Sequence, residues 1–351
     1  MSTTPPAKPS PAASTADAAA LPATTAAAVQ REYGPPETIT VATLPLPSPA
    51  PHEVVVRVAA AGVDRGVWHM ATGRPFIMRA MGFGLRRPSQ PIQGSDVAGT
   101  VVAVGTEVTR FEVGDVVMGS ARGSFAEHAI ADASRLTAVP EGVPLEVAAA
   151  APVSGVTAQA AVMEIGQVEA GQRVLVLGAS GGVGSSAVQL AVAAGAHVTG
   201  VCSSAKAHVA TEAGAAVVLD YRTVDVTALD GRFDLIVDTG GLTPLRALRR
   251  ILAPRGTLVI VGGEGGGGVT GGFGRQLKAA ALSLVVRQRL AFVMSTTTER
   301  TLDELAGRIA RGQLRPIVTA TYPLERTAHA ISDLAAGRVA GKAVVTLEDQ
   351  R

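Results

Sequence analysis

"RVLVLGASGGVGSSAVQLAVAAGAHVTGV", residues 173–201, is the segment that indicates the architecture of the chain. It opens with branched apolar residues typical of a buried strand, turns on glycines, and continues with the apolar spacing of a helix. Such a turn lets backbone N–H groups and the start of the helix approach a pyrophosphate. The stretch therefore predicts a dinucleotide site, formed by Ala179, Ser180, Gly181, Gly182, Val183 and Gly184.

Three segments make up the chain after residue 26. Residues 152–292 alternate strand-like runs with helical stretches, which is the pattern of a parallel sheet covered by helices on both faces. Residues 27–151 hold short strand-like runs between Gly, Pro and Asp turns, and these predict a β-rich unit. Residues 293–351 contain two amphipathic helical patterns and end near "KAVVTL", which we expect to return to the β-rich unit. The predicted fold class is α/β, a doubly wound parallel sheet inserted into a β-rich domain.

Residues 1–26 are mostly Ala, Pro, Ser and Thr with hardly any charge. Such a composition buries too little apolar surface to order the chain, so we expect a disordered tail. The stretch has neither the apolar core of a secretory signal nor the arginines of a mitochondrial presequence. A cytoplasmic location is therefore expected.

Composition excludes several classes of partner. The formal net charge is only +2, with scattered Lys and Arg, so no nucleic-acid partner is expected. No apolar run reaches the roughly 18 residues that a membrane span requires. Cys202 is the single cysteine, which excludes an intramolecular disulfide and a multi-thiolate zinc site. We expect Cys202 to be a small core residue, and no metal site is predicted.

The end of the second strand of the dinucleotide unit distinguishes NAD from NADP, because a carboxylate there would hold the ribose hydroxyl of NAD. Here the strand runs into Cys202, Ser203, Ser204 and Lys206, and that segment offers no carboxylate. Hydroxyl groups and an ammonium group suit a 2′-phosphate, which favours NADPH. A second interpretation stays open beside it, in which Ser203 caps the next helix and Lys206 is solvated.

Several motifs occur in order along the chain, namely "DVAGTVVAVGTEVTRFEVGDVVMG", "GSFAEHAI", "AAAAPVSGVTAQAAV", "GASGGVG", "DYR", "FDLIVDTGG", "GTLVIVGG" and "GKAVV". With these motifs the sequence resembles the zinc-independent, quinone oxidoreductase-like branch of the medium-chain dehydrogenase/reductase superfamily. The resemblance covers nearly the whole chain after the tail. It implies a GroES-like catalytic domain made from both chain ends, an inserted Rossmann domain, an active site in the cleft between them, and a homodimer.

The zinc-dependent members of that superfamily have a Cys in the loop after the second strand and a Gly-His-Glu before the Val-Ala-Gly run. In this chain the two places read "GVDRGVWH" and "GSDVAG", so the ligands that a catalytic zinc prefers are missing. The resemblance implies NADPH-dependent reduction of a small molecule, either a quinone or an α,β-unsaturated aldehyde or ketone. A conjugated acceptor spreads the negative charge that arrives on oxygen, which lowers the need for a Lewis acid.

Two residues of the first of these places are catalytic candidates. Asp64 stands where resembling proteins usually have Asn, and His69 stands where some have Tyr. The hypothesis is that His69 donates a hydrogen bond or a proton to the reduced oxygen. In the alternative, Asp64 bonds backbone amides of the loop and His69 packs with Trp68.

The resemblance also implies further cofactor contacts. Tyr221 corresponds to a family tyrosine near the adenosine phosphate, and Arg222 adds a charge beside it. Lys342 either reaches the cofactor from the catalytic domain or is a surface lysine before an edge strand. The remaining expected contacts are Thr157, Thr239, Gly262 and Gly263.

Two other classes of function stay open. An NADPH-binding protein that has lost catalysis, acting as a redox sensor or protein partner, would carry the same cofactor motif. A membrane-surface or nucleic-acid role would re-use the fold, although the weak net charge disfavours it. A loop with Arg74, Arg79, Arg86 and Arg87 is similarly open to two interpretations, a lid that attracts an acidic substrate or a solvated face.

Overall fold

The computed structural model of the protein describes residues 21–262, 271–294 and 296–347. Its strands in these ranges are β1 (Thr24–Val29), β2 (Thr40–Pro45), β3 (Glu53–Val63), β4 (Asp96–Val104), β5 (Val116–Ser120), β6 (His128–Asp132), β7 (Leu136–Ala138), β8 (Arg173–Leu177), β9 (His197–Cys202), β10 (Val217–Asp220), β11 (Phe233–Asp238), β12 (Leu252–Ile260), β13 (Arg289–Phe292), β14 (Val318–Pro323) and β15 (Lys342–Thr346). Its helices are α1 (Arg65–Thr72), α2 (Leu145–Ala149), α3 (Pro152–Gln159), α4 (Gly182–Ala193), α5 (Ala207–Glu212), α6 (Leu245–Ile251), α7 (Phe273–Ser283), α8 (Glu299–Ala310) and α9 (Thr327–Ala335).

An antiparallel ribbon of β1 and β2 opens the described part of the chain. It corrects the expected tail, because residues 24–26 belong to β1 and lie opposite residues 43–45 of β2. The small Ala27 and Ala28 are fully buried, and the Ala28 N–H donates to the Phe125 carbonyl at 2.8 Å. Residues 1–20 of the predicted tail lie outside the described residues.

The six-stranded sheet has the order β10-β9-β8-β11-β12-β13, and every neighbouring pair in it is parallel. Its central strands read as continuous apolar runs, such as residues 174–177, because helices cover both faces and leave no solvated side. The predicted α/β class with a doubly wound parallel sheet is confirmed.

The seven-stranded sheet contains strands from both ends of the chain. Its order is β14-β15-β3-β4-β5-β7, and β6 pairs with β3. The closing strand β15 runs antiparallel to β3, with Val345 opposite Ala61. The β-rich unit therefore includes strands that follow the parallel sheet in the sequence.

One apolar cluster joins the two sheets. It includes Ala60, Ala98 and Met118 from the seven-stranded sheet together with Val174 and Val176 from β8. Because buried side chains of both sheets pack in this cluster, the two units meet along a fixed contact. In the described ranges, no helix is both long and apolar enough to cross a membrane.

Candidate active site

The glycine turn between β8 and α4 brings backbone segments unusually close together. Gly178 has a φ of 82°, in the left-handed region that favours glycine. A Cβ on Gly184 would lie 2.0 Å from the Gly178 carbonyl oxygen, so the helix packs directly on the turn. A Cβ on Gly181, by contrast, would meet no atom nearer than 3.6 Å. Gly181 therefore borders open space.

The start of α4 faces that space without a side-chain cap. Gly181 is the N-cap residue and has no side chain to accept from the first N–H groups. The helix runs for 12 residues, so its positive end is directed at the space beside Gly181. A phosphate or pyrophosphate is the kind of group that such an end binds. The turn thus fits the predicted dinucleotide.

The seven-stranded sheet touches this turn directly. The Gly341 N–H donates to the Ser180 carbonyl oxygen at 2.7 Å. The next residue, Lys342, extends along the turn, and a Cβ on Gly182 would come 2.5 Å from its Cδ. The dinucleotide turn and the first residue of β15 therefore belong to one site.

Lys342 is paired in the interior. Its side chain is 4% exposed, and its Nζ lies 3.6 Å from Oδ2 of the fully buried Asp96. The alternative of a surface lysine before an edge strand is wrong, because β15 lies between β14 and β3. Burial raises the pKa of Asp96 to about 7, Lys342 opposes that rise, and the nearby Asp64 carboxylate adds to it.

Lys206 follows β9, as the last residue of the 3₁₀ turn Ser204–Lys206. Its Nζ donates to the Val339 carbonyl at 2.7 Å and the side chain is half-buried, so the alternative of a solvated lysine is wrong. Burial lowers the pKa of Lys206. Ser203 is buried at the start of the 3₁₀ turn Ser204–Lys206, yet its hydroxyl makes no capping bond. The predicted capping role of Ser203 is therefore also wrong.

A carboxylate does reach this end of β9, contrary to the sequence-based expectation. Asp220 ends β10 and lies opposite Cys202 in the parallel pair. Its Oδ1 accepts from the Arg222 N–H at 2.9 Å and its Oδ2 accepts from the Ser204 N–H at 3.1 Å. The first of these bonds is the main reason that the pKa of Asp220 lies below its usual range. Asp220 is therefore an anion at the segment assigned to the 2′-phosphate.

The two residues after Asp220 are exposed. The Tyr221 side chain is 57% exposed, and the Arg222 guanidinium lies over its ring at 5.7 Å from the centroid. Both residues lie at the carboxyl end of β10, next to Ser204.

The carboxyl ends of β8, β11 and β12 meet beside the turn. Thr239 Oγ1 donates to the Leu177 carbonyl at 2.7 Å, and a Cβ on Gly262 would lie 2.0 Å from the Thr239 carbonyl oxygen. This is the edge where parallel sheets bind their ligands. Gly263 lies outside the described residues. Thr157 is half-buried on α3, which packs against α4.

The two catalytic candidates both make positioning contacts. Asp64 is the N-cap of α1, and its Oδ1 accepts from the N–H groups of Gly66 at 2.6 Å and Val67 at 3.3 Å. His69 Nδ1 lies 2.7 Å from the Arg74 carbonyl oxygen, which can only accept, so Nδ1 carries the hydrogen. The His69 Nε2 atom makes no hydrogen bond within the described ranges. Nε2 is therefore the ring atom left for chemistry.

The imidazole also packs against an aromatic neighbour, since its ring meets Trp68 edge-on at 5.1 Å between centroids. The contacts proposed in the alternative interpretation of Asp64 and His69 are thus present. These contacts hold the imidazole ring in one orientation, and they do not involve Nε2 in a hydrogen bond.

The arginine-containing loop after α1 contacts both the start of the chain and the segment before α7. A Cβ on Gly271 would come 2.8 Å from Pro75 Cγ, so the loop contacts the segment that precedes α7. Arg79 lies over the Tyr33 ring at 4.1 Å and its Nε donates to the Gly73 carbonyl at 2.9 Å. Arg79 is therefore neither a solvated charge nor an anion-steering one, because its guanidinium holds the loop.

A cavity of about 460 Å³ opens in the catalytic domain. Ser95 and Ser120 lie on its wall, with their hydroxyl oxygens 2.7 Å apart. One hydroxyl hydrogen bonds the other oxygen, so the second hydrogen is free to donate into the cavity. The other lining residues are His52, Glu53, Met70, Gln90, Gly94, Ala121, Arg122, Ala131, Asp132 and Arg135. Among the described residues, no group of three or more His, Cys, Asp or Glu is placed to hold a metal ion.

Two family models match the chain, one described as an alcohol dehydrogenase GroES-like domain over residues 50–141 and one described as a zinc-binding dehydrogenase over residues 213–345. The chain is also 32% identical over 332 residues to the quinone oxidoreductase of Pseudomonas aeruginosa, which covers 89% of this chain and 97% of that protein. The chain belongs to the quinone oxidoreductase-like branch of the medium-chain dehydrogenase/reductase superfamily. It is an oxidoreductase.

Solved structures show the same fold. The quinone oxidoreductase from Coxiella burnetii superposes with a TM-score of 0.81 at 24% identity, over 93% of this chain and 100% of that one. The mycobacterial Rv1454c, solved in complex with NADPH, superposes with a TM-score of 0.77 at 28% identity, over 92% of this chain and 99% of that one. The resemblance seen in the sequence motifs, and the GroES-like and Rossmann folds that it implies, are confirmed.

Sequence reasoning missed an ion pair of this oxidoreductase at the carboxyl end of β11. Asp238 is 1% exposed and its Oδ2 accepts from Arg275 Nη2 at 2.6 Å, while the same nitrogen donates to the Thr243 carbonyl at 2.8 Å. Arg275 Nη1 is buried without a partner among the described residues. The motif "FDLIVDTGG" does contain a signal for this pair, because Asp238 ends an apolar strand and a buried charge requires a partner.

Proposed function

We propose that this oxidoreductase reduces quinones or α,β-unsaturated carbonyl compounds with NADPH and without zinc. One observation carries the proposal, the bond of 2.7 Å between the Gly341 N–H and the Ser180 carbonyl. It places Lys342 and Asp96 of the catalytic sheet beside the uncapped start of α4. A pyrophosphate on that helix end would then extend toward the catalytic domain.

The residues around the turn fit a dinucleotide. Gly181 borders the open space that a pyrophosphate would fill, and the α4 N–H groups would bind its oxygens. Lys342 would add a cation from the catalytic side. When bound, the nicotinamide supplies the hydride.

The preference for NADPH is assigned to the segment after β9. Lys206 and Arg222 supply positive charge there, and the Ser203 and Ser204 hydroxyls supply hydrogen bonds. Asp220 opposes a 2′-phosphate by its charge, but its two oxygens are directed to the N–H groups of Ser204 and Arg222. The two cations outnumber this one anion, which supports the phosphate-bearing cofactor.

The acceptor oxygen requires donors when it gains negative charge. His69 is the proposed proton source, because its Nδ1–H bond to Arg74 fixes the ring and, in the imidazolium form, the Nε2–H can give its proton to the acceptor oxygen, which leaves the neutral imidazole. The Ser95 and Ser120 hydroxyls are a second source of hydrogen bonds in the cavity. The acceptor gains one hydride and one proton, so two electrons and two hydrogens are transferred in all.

Calorimetric titration with NADPH and NADH, after dialysis against EDTA, tests the cofactor assignment. We expect a single site that binds NADPH at least about tenfold more tightly than NADH, equivalent to about 1.4 kcal/mol. Equal affinities would refute the role of Lys206 and Arg222, and loss of binding after dialysis would refute zinc independence.

Two broader expectations belong to the same proposal. The family resemblance supports a homodimer, which analytical ultracentrifugation tests. A cytoplasmic location is the second expectation, which cell fractionation tests.

A further inference from the structure

A second recess lies at the amino ends of the parallel strands, whereas the glycine turn lies at a carboxyl end. It has a volume of about 320 Å³ and lies where α6 leads into β12 and where β13 begins. Its lining is Arg246, Arg249, Arg250, Pro254, Val286, Arg287 and Gln288. Four of these seven residues are arginines, and the proposed reaction uses none of them.

The recess is preorganised by Gln288. Its Nε2 donates to the carbonyls of Arg249 at 2.9 Å and Leu252 at 3.3 Å, so the side chain is anchored to the end of α6. Its Oε1 accepts from Arg249 Nε at 2.9 Å. Arg249 is thereby held half-buried in the wall, with its two Nη groups outside that bond.

The positive charge of the recess is not neutralised within the described part of the chain. None of the four guanidinium groups there has a carboxylate oxygen within 4.0 Å. The pKa of Asp225 is lowered mainly by its hydrogen bonds to Thr227, and Arg250 of the recess adds a smaller electrostatic contribution. Four like charges around a small concave space repel one another and favour a multiply charged anion.

We propose that this recess binds a soluble polyphosphate, a chain of two or three phosphate groups either free or carried by a small metabolite. One guanidinium group can donate two parallel hydrogen bonds to phosphate oxygens, and several guanidinium groups can bind one polyphosphate. The volume is at the lower end of small-molecule sites, which suits such an anion better than a folded partner. The site is independent of the cofactor cleft, because that cleft lies at the carboxyl ends of the strands.

Calorimetric titration of the NADPH-saturated full chain with inorganic tripolyphosphate at low ionic strength tests this site, because the cofactor then occupies the anion site at the start of α4. We expect one saturable site, weakened about tenfold by Arg249→Met and by Arg287→Met, because each removes a charge-assisted contact. Arg287 is exposed, so its variant should keep the melting temperature of the parent protein. Arg255→Met is the matched control, since Arg255 is exposed on the same β12 segment but does not line the recess.

Two further measurements distinguish this recess from the cofactor cleft and from a lipid-binding surface. Lys206→Glu should leave tripolyphosphate binding unchanged, because Lys206 belongs to the cofactor cleft. Vesicles of phosphatidylcholine and phosphatidic acid should not retain the protein. The proposal is overturned by absence of a saturable site, by an equal loss in Arg255→Met, by a loss confined to Lys206→Glu, or by vesicle retention without tripolyphosphate binding.

Discussion

Lys342 Nζ lies 3.6 Å from Asp96 Oδ2 in a pair that is almost completely buried, and both atoms lack a hydrogen bond to any other described residue. The pair joins the start of β4 to the start of β15, and the lysine stem lies against Gly182 of the dinucleotide turn. The same ionic contact therefore supports the catalytic sheet and closes the cofactor site on one side.

Lys342→Met should destabilise the protein most at alkaline pH. The pKa of Asp96 is raised from 3.8 to about 7 by burial, so the folded state binds the proton more tightly than the unfolded state does. The stability that Asp96 contributes is then largest at low pH, and it is lost as the pH rises between those two values. Without Lys342 the fall should continue to higher pH, with a loss of about 3–5 kcal/mol once Asp96 is ionised.

Denaturant unfolding of the parent protein and Lys342→Met at pH 5 and pH 8 measures this difference. The double variant Asp96→Asn/Lys342→Met is the control, because it removes both charges and should be more stable at pH 8 than Lys342→Met. A destabilisation that is the same at both pH values would show that Asp96 is not the responsible group.

Gly181→Ala and Gly184→Ala should separate binding from folding. At Gly181 the backbone has a φ of −90° and a Cβ would have 3.6 Å of clearance, so the fold should be retained while the methyl group enters the space for the pyrophosphate. At Gly184 a Cβ would meet the Gly178 carbonyl at 2.0 Å, which should destabilise the fold by about 1–3 kcal/mol or more. Melting curves and NADPH titrations of both variants give the comparison. Unchanged NADPH affinity in Gly181→Ala would contradict the assignment of the turn.

Charge changes at Lys206 and Asp220 should alter the NADPH preference in opposite directions. Lys206→Glu should weaken NADPH at least about tenfold and NADH by no more than about twofold, because only NADPH carries the 2′-phosphate. Asp220→Asn should strengthen NADPH about fivefold, since it removes a neighbouring anion. Lys278→Glu, on the exposed side of α7, is the matched control and should change neither affinity. Equal effects on the two cofactors would exclude a phosphate site here.

His69→Gln and His69→Asn should distinguish proton donation from loop positioning. His69→Gln should lower kcat about tenfold, in the range typical of a lost general acid, and leave the KM for the cofactor nearly unchanged. The shorter amide of His69→Asn reproduces the Nδ1–H bond to the Arg74 carbonyl but has no counterpart to Nε2. It should therefore restore the melting temperature without restoring kcat. Full activity of His69→Asn would assign His69 to positioning alone.

The local features of the fold were predictable because they depend on neighbours in sequence. The run before Gly178 and the apolar spacing after Gly181 indicate a strand, a turn and a helix without any tertiary contact. The family resemblance then identifies which sheets these elements build. Contacts within one loop are open to the same reasoning, and the capping of α1 by Asp64 is one of the two roles that the sequence predicts for that residue.

What the sequence could not predict are pairings between distant segments. Asp220 was overlooked because it reaches the end of β9 only through its parallel pairing with that strand. Lys342 could not be assigned as buried, since its partner Asp96 lies far from it in the sequence. Arg275 meets Asp238 across the end of the sheet. Each of these pairings can be assigned only from the topology, because the residues involved are close in space and separated in sequence.

The reductase assignment is best tested by NADPH oxidation with the purified protein. The reaction is followed spectrophotometrically with a panel of quinones and α,β-unsaturated aldehydes and ketones, and NADH is run in parallel. We expect saturable turnover of at least one conjugated acceptor, with a higher kcat/KM for NADPH than for NADH and no loss of rate in EDTA. Tight NADPH binding with no acceptor reduced would contradict the reductase, and would leave a cofactor-binding protein without catalysis as the function that fits the site.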